Sequence, residues 1–492
     1  MKVLIYSTYQ GPHHLEAEME IIQNHIEQGD DVHILTCKGE LKNSGCVGNP
    51  ERLKSACFTC ISRHEQAFKV VGAKKENIHI LPKTRLKEKF KFNNINELSD
   101  FEKDGFDVGA GVASSLIFYK EKSNINVNRI EKEVNHSINT SFHLYQFFLS
   151  FLKQNKFDHI FFFNGRFLEQ LPLLRVCQKL KLPFQTHERG GSLLKYMLFK
   201  NTLPHDRSYF TDKANQLWNV IKSEKVIHEV KKWYQSRREG TNKNTLNLNS
   251  KQIQGQVPIF NLDKTNIIIF NTSSDEFSSL GKDFNWHHRV FLDHYKNIDN
   301  VLKYFEERDT HHFYLRIHPN LITKKEELER LVKFKSYSCC TVIEPSSEID
   351  TYTLMEKANA VLSFCSTTGV EATYWGTTSI LAGHAMFEEL GVVYRPDDFI
   401  ELYSMLENPP KPLPKEGALK YSAFLLFGGI DFKNYKATSY KTGLYQGKAI
   451  RASKKSYIQA LLLRFLECFY TASPTKFYTD IKKVLYSFRV NG

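Results

Sequence analysis

The chain contains no hydrophobic run that approaches the roughly 20 uncharged apolar residues needed to span a bilayer. It also lacks a recognisable secretion signal, because the opening MKVLIYS is too short for the apolar part of one and runs directly into Tyr9, Gln10 and Gly11. Internal repeats and strong low-complexity tracts are absent as well. We therefore expect a cytoplasmic protein without a repeat architecture.

Cysteine is sparse and does not form a disulfide pattern. Nine cysteines without a secretion signal favour free thiols or a metal site over a disulfide framework. Four of them follow a C-x8-C-x10-C-x2-C spacing, which would suit tetrahedral zinc: Cys37, Cys46, Cys57 and Cys60. A single Cys-x2-Cys is much less specific than two, so a structural zinc, unpaired thiols and redox chemistry all remain open.

Acidic residues are outnumbered by basic ones, and the net charge is +13. Residues 451–492 hold eight Lys and Arg against Glu467 and Asp480, so this short tail supplies +6 of that charge. The tail also predicts two amphipathic helices with these apolar positions: Ile458, Leu461, Leu462, Phe465 and Phe469, then Phe477, Ile481, Leu485 and Phe488. Two interpretations stay open, packing against the body of the protein or attachment to an anionic membrane surface. Because no aromatic-basic motif accompanies the charge, nucleic acid is not an expected partner.

Strand and helix patterns alternate along the chain, which predicts an α/β fold with parallel sheets. Val3–Ser7 and Asp31–Cys37 are predicted as strands around a helix that contains Leu15, Met19 and Ile22. Further strands are predicted at Ile78–Leu81, His159–Phe163, Phe184–His187, Asn266–Asn271, Phe313–Ile317, Thr341–Ile343, Val361–Phe364 and Ser379–Ala382. The corresponding helices are expected near 127–153, 287–306, 324–335, 351–358 and 368–375.

The 492 residues allow two or three domains. Between Ser236 and Val257 the composition becomes rich in Asn, Gln, Lys and Gly and loses its apolar periodicity, as in a linker. We predict a Rossmann-like domain with helical insertions over 1–240, a linker over 241–257, a second Rossmann-like domain over 258–448 and the basic tail over 449–492. Two such doubly wound domains facing across a cleft would bind a ligand at the carboxyl ends of both sheets.

The stretch VLSFCSTTGVEATYWGTTSIL, from Val361 to Leu381, predicts a strand, a hydroxyl-rich turn, a helix and a second strand. The turn is formed by Ser366, Thr367, Thr368 and Gly369. Unpaired N–H groups at the start of a helix favour an anion, and small residues allow it to approach closely. Glu371 falls in the first helical turn and could accept hydrogen bonds from a ribose. The alternative is an ordinary strand–helix–strand unit with a serine cap.

A second candidate element is the run from Arg316 to Pro319 at the end of a predicted strand. Proline stops the strand and would hold the His318 imidazole at the sheet edge. Arg316 and His318 could neutralise a diphosphate or a phosphodiester. Because the Ser366 turn follows one strand–helix–strand–helix series later, both loops can converge on one ligand.

Polar loops also follow strands of the first half. Asn164-Gly165-Arg166 and Glu188-Arg189-Gly190-Gly191 come after consecutive predicted strands, with glycines that let backbone approach a ligand. His13, His14 and Glu16 follow the first strand and would line the same edge, although helix capping or exposure explains them nearly as well. In the second half, Asp275 and Glu276 lie in the first loop, where they could bind a donor, act at the hinge or cap a helix.

These motifs resemble those of capsule polysaccharide biosynthesis proteins and, more broadly, the donor half of GT-B glycosyltransferases. The resemblance lies in Glu371-Ala372 with Gly376, within the run from Asp350 to Gly383. His318-Pro319 and Ser366-Thr367 are similar to the His-Pro and Ser-Ser/Thr motifs of bacterial transferases that use CMP-activated sugars. Capsule-type proteins also carry Asn-Gly-Arg, Glu-Arg-Gly and Ser-Asp-Glu at comparable places. Retaining GT-B enzymes have a second glutamate eight positions before the Glu-Ala glutamate, and here Ser363 occupies that place, which favours inversion.

The resemblance implies a GT-B-type inverting glycosyltransferase that assembles a bacterial surface polysaccharide, capsule or lipopolysaccharide. His318, Ser366, Thr367 and Glu371 would hold the nucleotide of a CMP-, UDP- or GDP-sugar. Glu188 is the first candidate for the general base, with His14 and Glu16 as alternatives; Glu188 could instead form an ion pair with Arg189 or Arg166. Catalysis would not require a metal, since helix N-termini and basic residues can neutralise the leaving nucleotide.

The expected partners are a nucleotide-sugar donor and an oligosaccharide or lipid-linked acceptor, at the inner face of the cytoplasmic membrane if the tail attaches there. A non-hydrolysing nucleotide-sugar epimerase, which uses the same two-domain plan, is the nearest alternative. A non-catalytic polysaccharide-assembly protein at the membrane is another, and it would tolerate loss of Glu188 and Glu371.

Overall fold

The computed structural model describes residues 1–84, 87–242, 252–280, 283, 290–291 and 293–471. The chain divides into two compact units, one formed by Met1–Pro204 with the described part of Gly429–Gly492, the other by the described residues of His205–Gly428. Most of the predicted linker, and the second predicted helix of the tail, lie outside the described residues.

Strands and helices are numbered in chain order. The strands are β1 Lys2–Ser7, β2 Asp31–Thr36, β3 Ile78–Ile80, β4 His159–Phe163, β5 Phe184–Arg189, β6 Lys195–Lys200, β7 Thr265–Phe270, β8 His311–Arg316, β9 Cys340–Ile343, β10 Ala360–Ser363, β11 Thr378–Leu381, β12 Ile430–Asp431, β13 Tyr435–Ser439 and β14 Thr442–Tyr445. The helices are α1 His14–Glu27, α2 Lys54–Val70, α3 Ile95–Ser99, α4 Val108–Lys120, α5 Glu131–Gln154, α6 Leu171–Leu180, α7 Arg207–Ile221, α8 Glu224–Arg238, α9 Ser274–Ser278, α10 His294–Glu306, α11 Lys325–Val332, α12 Thr351–Glu356, α13 Thr368–Trp375, α14 Phe399–Glu407, α15 Glu416–Phe427 and α16 Lys454–Thr471.

The first unit is built on a sheet with the strand order β12-β6-β5-β4-β1-β2-β3. The five adjacent strands β5-β4-β1-β2-β3 are parallel. At the other edge β6 pairs antiparallel with β5, and β12 pairs antiparallel with β6. The chain moves outward from β1 to β3 and then returns to β4 on the other side of β1. The loops after β1 and β4 therefore diverge at a topological switch point, where α/β sheets commonly bind ligands.

Helices cover both faces of this sheet, because the alternating side chains of β1 enter two different cores. Leu4 and Tyr6 pack with apolar residues of α4, α5 and α6. Val3 and Ile5 pack on the opposite face with residues of α1, α2 and the hairpin β13–β14. This is the doubly wound arrangement that continuous apolar strands predict.

The second unit has a five-stranded parallel sheet with the order β11-β10-β7-β8-β9. The path is the same as in the first unit, since the chain moves from β7 to β9 and returns to β10 beside β7. Ile267 and Ile269 face one core, which includes α10 and α14, and Ile268 and Phe270 face another, with α12 and α13. The predicted α/β class with two doubly wound, Rossmann-like sheets is thus confirmed.

The division between the units differs from the predicted boundaries. Residues 205–240, assigned from composition to the first domain, form α7 and α8, which pack against α15 in the second unit. The chain returns to the first unit at Gly429, because β12 pairs with β6. The predicted tail also begins too late, since the returning segment already includes the hairpin β13–β14. Within the described part of the chain, no helix has both the length and the apolar character required to cross a membrane.

Candidate functional site

In the first unit, the candidate residues collect on loops at the carboxyl ends of β1, β4 and β5. His13 adopts a left-handed conformation, φ 68°, immediately before α1, and Asn164 and Gly165 do so after β4, with φ 54° and 99°. A side chain at Gly165 would come within 2.4 Å of Leu203, so the tight turn requires glycine. These turns bring the first residue of α1 to the end of β5.

His14 and Glu188 form the central pair of this edge. His14 Nε2 lies 3.4 Å from Glu188 Oε1, and the side chains are 6% and 27% exposed, so the carboxylate is the more accessible partner. Asn164 Nδ2 donates to Glu188 Oε2 at 3.0 Å, and the Arg189 backbone N–H donates to Oε1 at 3.0 Å. The pair therefore joins all three loops. The sequence suggested that Glu188 pairs with Arg189 or Arg166, and the side-chain contact found at 3.4 Å is with the His14 imidazole.

Burial lowers the pKa of His14 to about 3, which leaves the imidazole neutral at ordinary pH. Burial acts to raise the pKa of Glu188, but the proximity of His14, the two hydrogen bonds and the Arg189 guanidinium outweigh it, and the pKa is lowered. Glu188 is accordingly an ionised carboxylate whose charge is held by donated hydrogen bonds. His14 Nδ1 is buried and has no hydrogen-bond partner among the described residues.

A second His–Glu pair lies behind the first. Glu18 is one helical turn after His14 on α1, and His187 immediately precedes Glu188 on β5. In one pair the histidine belongs to the helix and the glutamate to the strand, and in the other pair this assignment is reversed. His187 Nε2 lies 3.1 Å from Glu18 Oε1, and the Ser7 hydroxyl donates a short bond to Glu18 Oε2. All three side chains are almost fully buried. Sequence reasoning missed this pair; the spacing of His14 and Glu18 was the available signal.

The other predicted residues of this half are placed differently. Glu16 is buried and turned away from Glu188, since it accepts the His13 N–H at 2.9 Å and pairs with Arg63. Arg166 is also buried, where its guanidinium donates to the Ser114 hydroxyl at 3.0 Å and lies 4.2 Å from the Phe167 ring. Burial lowers the pKa of Arg166 to about 10. Glu16 and Arg166 therefore support the loops and do not face a ligand.

Glu169 is a buried carboxyl that the sequence analysis did not single out. It follows the Asn164 turn and accepts the Val47 N–H at 2.8 Å, while its second oxygen has no partner in the described part of the chain. Burial raises its pKa to about 7. Glu169 thus ties the loop after β2 to the loop after β4 and exists in both protonation states near neutral pH.

A cavity of about 600 Å³ opens at the same sheet edge, between the loop after β3 and the start of α5. Asn139 and Asn135 hold the loop to the helix by bonding the backbone of Glu88 and Phe90. The lining includes three lysines that form no ion pair within the described residues: Lys87, Lys89 and Lys132. Its size is that of a small-molecule site, and its lysines favour an anionic ligand.

In the second unit, the loops after β7, β8 and β10 lie side by side, because these strands are neighbours in the sheet. The His318 N–H donates to Asn271 Oδ1 at 2.9 Å, which joins the loops after β8 and β7. His318 Nδ1 accepts the Asn320 N–H at 3.2 Å. This bond caps a short helical turn that begins at Pro319. Its proton is therefore assigned to Nε2. Burial and the charges of Lys324 and Arg316 lower the pKa of His318 to about 4.

The hydroxyl-rich turn after β10 forms as predicted. The Ser366 hydroxyl accepts from the Thr368 N–H at 3.4 Å and the Thr368 hydroxyl at 2.8 Å, and Thr367 is exposed. The helix α13 ends at Gly376 with φ 91°, a common left-handed terminus. The Ser366 hydroxyl thus accepts bonds at the start of α13, whereas the N-cap residue Thr367 makes no side-chain cap bond and has its hydroxyl open to a ligand.

Gly369 serves packing and not ligand approach. A Cβ there would lie 3.0 Å from the Ser363 hydroxyl and 3.2 Å from the Ser379 hydroxyl, on the side of α13 that faces the sheet. Ser363 is fully buried in this contact.

Glu371 and Arg316 are already engaged by other groups of the chain. Both oxygens of Glu371, which is 3% exposed, are bonded: one to Arg237 at 2.6 and 3.0 Å, the other to the Tyr352 hydroxyl at 2.5 Å. Arg316 is likewise buried and donates to the carbonyls of Glu344 and Ser347 at 2.8 and 3.2 Å. Glu371 is therefore not positioned to receive a ribose, nor Arg316 a diphosphate, without breaking these bonds.

Asp275 and Glu276 lie in α9, the short helix within the loop that follows β7. Asp275 is paired with Lys324 at 2.8 Å, which connects this loop to the loop after His318. Glu276 accepts the Thr272 hydroxyl at 3.0 Å, and burial together with the Asp275 charge raises its pKa. Asp275 thus helps to hold the loops at the His318 edge, and Glu276 remains the more exposed of the two.

Another charged cluster, which the sequence did not indicate, follows β11. Glu388 is buried and accepts from Arg207 at 2.6 Å, the Ala385 N–H at 2.8 Å and the His384 ring at 3.1 Å. Arg395 lies 3.4 Å from the same carboxylate. The cluster brings three basic side chains to the loop next to the Ser366 turn, since β11 and β10 are neighbouring strands.

The four cysteines of the C-x8-C-x10-C-x2-C spacing, Cys37, Cys46, Cys57 and Cys60, are free thiols. Among the described residues, no group of three or more His, Cys, Asp or Glu side chains is arranged to hold a metal ion. Burial raises the pKa of Cys37 to about 12 and also raises that of Cys46, so both side chains are protonated thiols at neutral pH. The geometry gives the zinc hypothesis no support.

No protein-family model matches this chain, and no curated protein matches it. Among solved structures, a KpsC beta Kdo 2,4 transferase of Thermosulfurimonas dismutans is 13% identical and covers 62% of this chain and 86% of its own, with a TM-score of 0.37. The UDP-GlcNAc 2-epimerase of Methanocaldococcus jannaschii is 12% identical and covers 87% and 100%, with a TM-score of 0.27. The Neisseria meningitidis UDP-GlcNAc 2-epimerase, at 13% identity and 87% and 99% coverage, has the same score. Scores this low carry no argument about activity.

Proposed function

We propose that the protein transfers a sugar, with inversion, from a nucleotide-sugar to a hydroxyl of a bacterial surface polysaccharide. The observation that carries the proposal is that each unit has a parallel sheet with its candidate residues on loops at the carboxyl edge, beside the switch point. One edge has a carboxylate suited to proton transfer, and the other has donors suited to phosphate. Glycosyl transfer needs both functions.

Glu188 is the proposed general base. It is the exposed member of its pair, whereas the free nitrogen of His14 is buried, so an acceptor hydroxyl would reach the carboxylate first. As the acceptor oxygen attacks the anomeric carbon, its proton passes to Glu188, and the bond between that carbon and the phosphate oxygen breaks. The electron pair leaves with the nucleotide. His14 would act as a positioning residue that keeps the carboxylate oriented.

The proposed donor site uses the His318 Nε2–H, the hydroxyls of Ser366, Thr367 and Thr368, and the first turn of α13. A neutral imidazole and hydroxyls donate hydrogen bonds to phosphate oxygens, and the helix terminus adds favourable electrostatics. Glu371 would contribute indirectly, by fixing α13 through Arg237 and Tyr352. The chemistry of these donors requires no metal.

The three lysines of the first-unit cavity suit an acceptor that carries negative charge, such as an acidic oligosaccharide, and they exceed the two glutamates of the lining, Glu88 and Glu131. The cavity lies between the loop after β3 and the start of α5. The sugar, the nucleotide and the linkage are left to experiment, with CMP-, UDP- and GDP-sugars as the candidates.

The test combines thermal unfolding with product analysis for a panel of CMP-, UDP- and GDP-sugars. The proposal expects one nucleotide class to raise the unfolding temperature, since a ligand that binds the folded state stabilises it. It also expects release of that nucleotide only with an oligosaccharide acceptor. No stabilisation by any donor would eliminate the donor site. Conversion of a donor to an isomer without acceptor would replace transfer by epimerisation, and binding without turnover would favour an assembly protein.

A further inference from the structure

The described helix of the tail, α16, has two different faces. One face packs against α2: Ala460 is buried, and Glu467 accepts the Lys54 N–H at 2.6 Å and the Ser55 hydroxyl at 2.5 Å. A carboxylate at the start of a helix is favourable, so Glu467 both caps α2 and fixes the orientation of α16. The sequence-based expectation of packing against the body is thus met for this face.

The opposite face of α16 is apolar and exposed. Ile458, Leu462 and Leu466 recur at intervals of four residues and are 55%, 63% and 52% exposed. Phe465, beside them on the helix, is 47% exposed. Side chains of this kind at helical spacing form one continuous stripe, and scattered surface apolar residues do not produce it.

Basic side chains flank the stripe at its N-terminal end. Arg451, Lys454 and Lys455 are exposed, and Lys454 falls on the same helical face as Ile458. Between Arg451 and Leu466 the sequence has no acidic residue; the first one is Glu467, which faces α2. An exposed apolar stripe with lysines beside it is the composition of a helix that lies in a membrane interface.

We propose that the exposed face of α16, defined by Ile458, Leu462, Phe465 and Leu466 with Lys454 and Lys455, binds an anionic lipid surface. Charge disfavours two alternative occupants of this face, the chain segment 472–492 and a second copy of the protein. Residues 472–492 contain four basic residues and one acidic residue, and a second copy would present the same lysines, so either would bring like charges together. An anionic bilayer neutralises the lysines and accepts the apolar side chains.

The experiment is flotation of the full chain with vesicles of phosphatidylcholine alone or with phosphatidylglycerol. We expect binding to the anionic vesicles only, weakened by high salt. The triple variant Ile458→Ser, Leu462→Ser, Leu466→Ser should reduce the bound fraction at least tenfold, and Lys454→Glu with Lys455→Glu should do so as well. A control replaces apolar residues elsewhere that are even more exposed, Ile259→Ser, Leu262→Ser and Ile400→Ser, and should bind like the unchanged protein.

Circular dichroism and thermal unfolding verify that each variant is folded. The proposal is overturned if the unchanged protein ignores anionic vesicles, or if the triple variant binds as well as the control. Self-association that disappears in the triple variant would identify a second copy as the occupant. These readouts involve no nucleotide, so they are independent of the glycosyltransferase proposal.

Discussion

The two sheets share one path but carry different chemistry at their carboxyl edges. In the first unit the switch point holds two crossed His–Glu pairs, with Glu188 as the exposed carboxylate. In the second unit the equivalent loops present hydroxyls and a neutral His318, and their carboxylates are bonded to other side chains. Titratable groups held near one another suit proton transfer, whereas neutral donors suit binding of an anion.

This difference shows that the same topology positions a site without determining its chemistry. Both units place loops at the switch point because a parallel sheet that reverses its strand order must do so. Which side chains remain available depends on contacts from other elements. Arg237 on α8 forms an ion pair with Glu371, whereas Glu188 in the first unit remains partly accessible.

The largest expected effect comes from Glu188→Gln, which removes the proposed base, keeps the size of the side chain and retains one of its two acceptor oxygens. General-base catalysis contributes about 10²- to 10⁴-fold, so the transfer rate should fall by that factor. Donor stabilisation in thermal unfolding should be unchanged. His33→Gln, on β2 toward the amino end of the same sheet, is the matched control and should keep full activity. A Glu188→Gln protein with normal turnover would remove the catalytic role from the first edge.

Glu371→Gln tests whether this carboxylate is structural. The substitution leaves the Arg237 guanidinium without a charged partner in a mostly buried site, and the expected cost is about 3 kcal/mol of unfolding free energy. The neighbouring pair of Arg238 and Glu356 is more exposed, so Glu356→Gln should cost less than about 1 kcal/mol. Chemical denaturation measures both. If Glu371→Gln instead weakens nucleotide binding without loss of stability, the ribose role is restored.

Glu169→Gln tests the buried carboxyl that links two loops of the first edge. The pKa of Glu169 is raised from 4.5 to about 7. Between these two pH values the folded state holds a proton on Glu169 that the unfolded state has lost. This part of the stability is present below pH 4.5, declines as the pH rises toward 7 and stays lost above it. The shift corresponds to about 3 kcal/mol.

The measurement is the free energy of unfolding from pH 4 to 9 for both proteins. The variant should lack this decline, so its stability relative to the unchanged protein should increase with pH. Parallel curves would show that Glu169 is not titrating near neutrality.

The sequence predicted ten of the fourteen strands of the described residues within two residues at each end, because apolar runs such as the one before Asn271 end at turn-forming residues. It missed β6, β12, β13 and β14. It also predicted the loops that carry His14, His318 and Ser366, since a parallel sheet gathers its carboxyl ends at one edge. It could not predict that Arg237 binds Glu371 from 134 residues away. Nor could it predict that α7 and α8 join the second unit, because the apolar periodicity of a helix does not identify the element that it packs against.

The smallest expected effect is in the second edge, where His318→Ala removes one neutral donor. Loss of a single hydrogen bond costs about 1 kcal/mol, so the affinity for the preferred nucleotide-sugar should fall about fivefold. His312→Ala, near the start of β8, the strand that precedes His318, should leave binding unchanged.

The pH dependence of binding distinguishes a neutral His318 donor from a protonated imidazolium. Because the His318 pKa is about 4, its protonation does not change between pH 5.5 and 8, and the phosphates of a nucleotide-sugar do not titrate there either. Calorimetry should therefore give a flat affinity over this range. Tighter binding as the pH falls through 6.5 would mean that a protonated histidine holds the phosphate, and His318 would no longer count as a neutral donor.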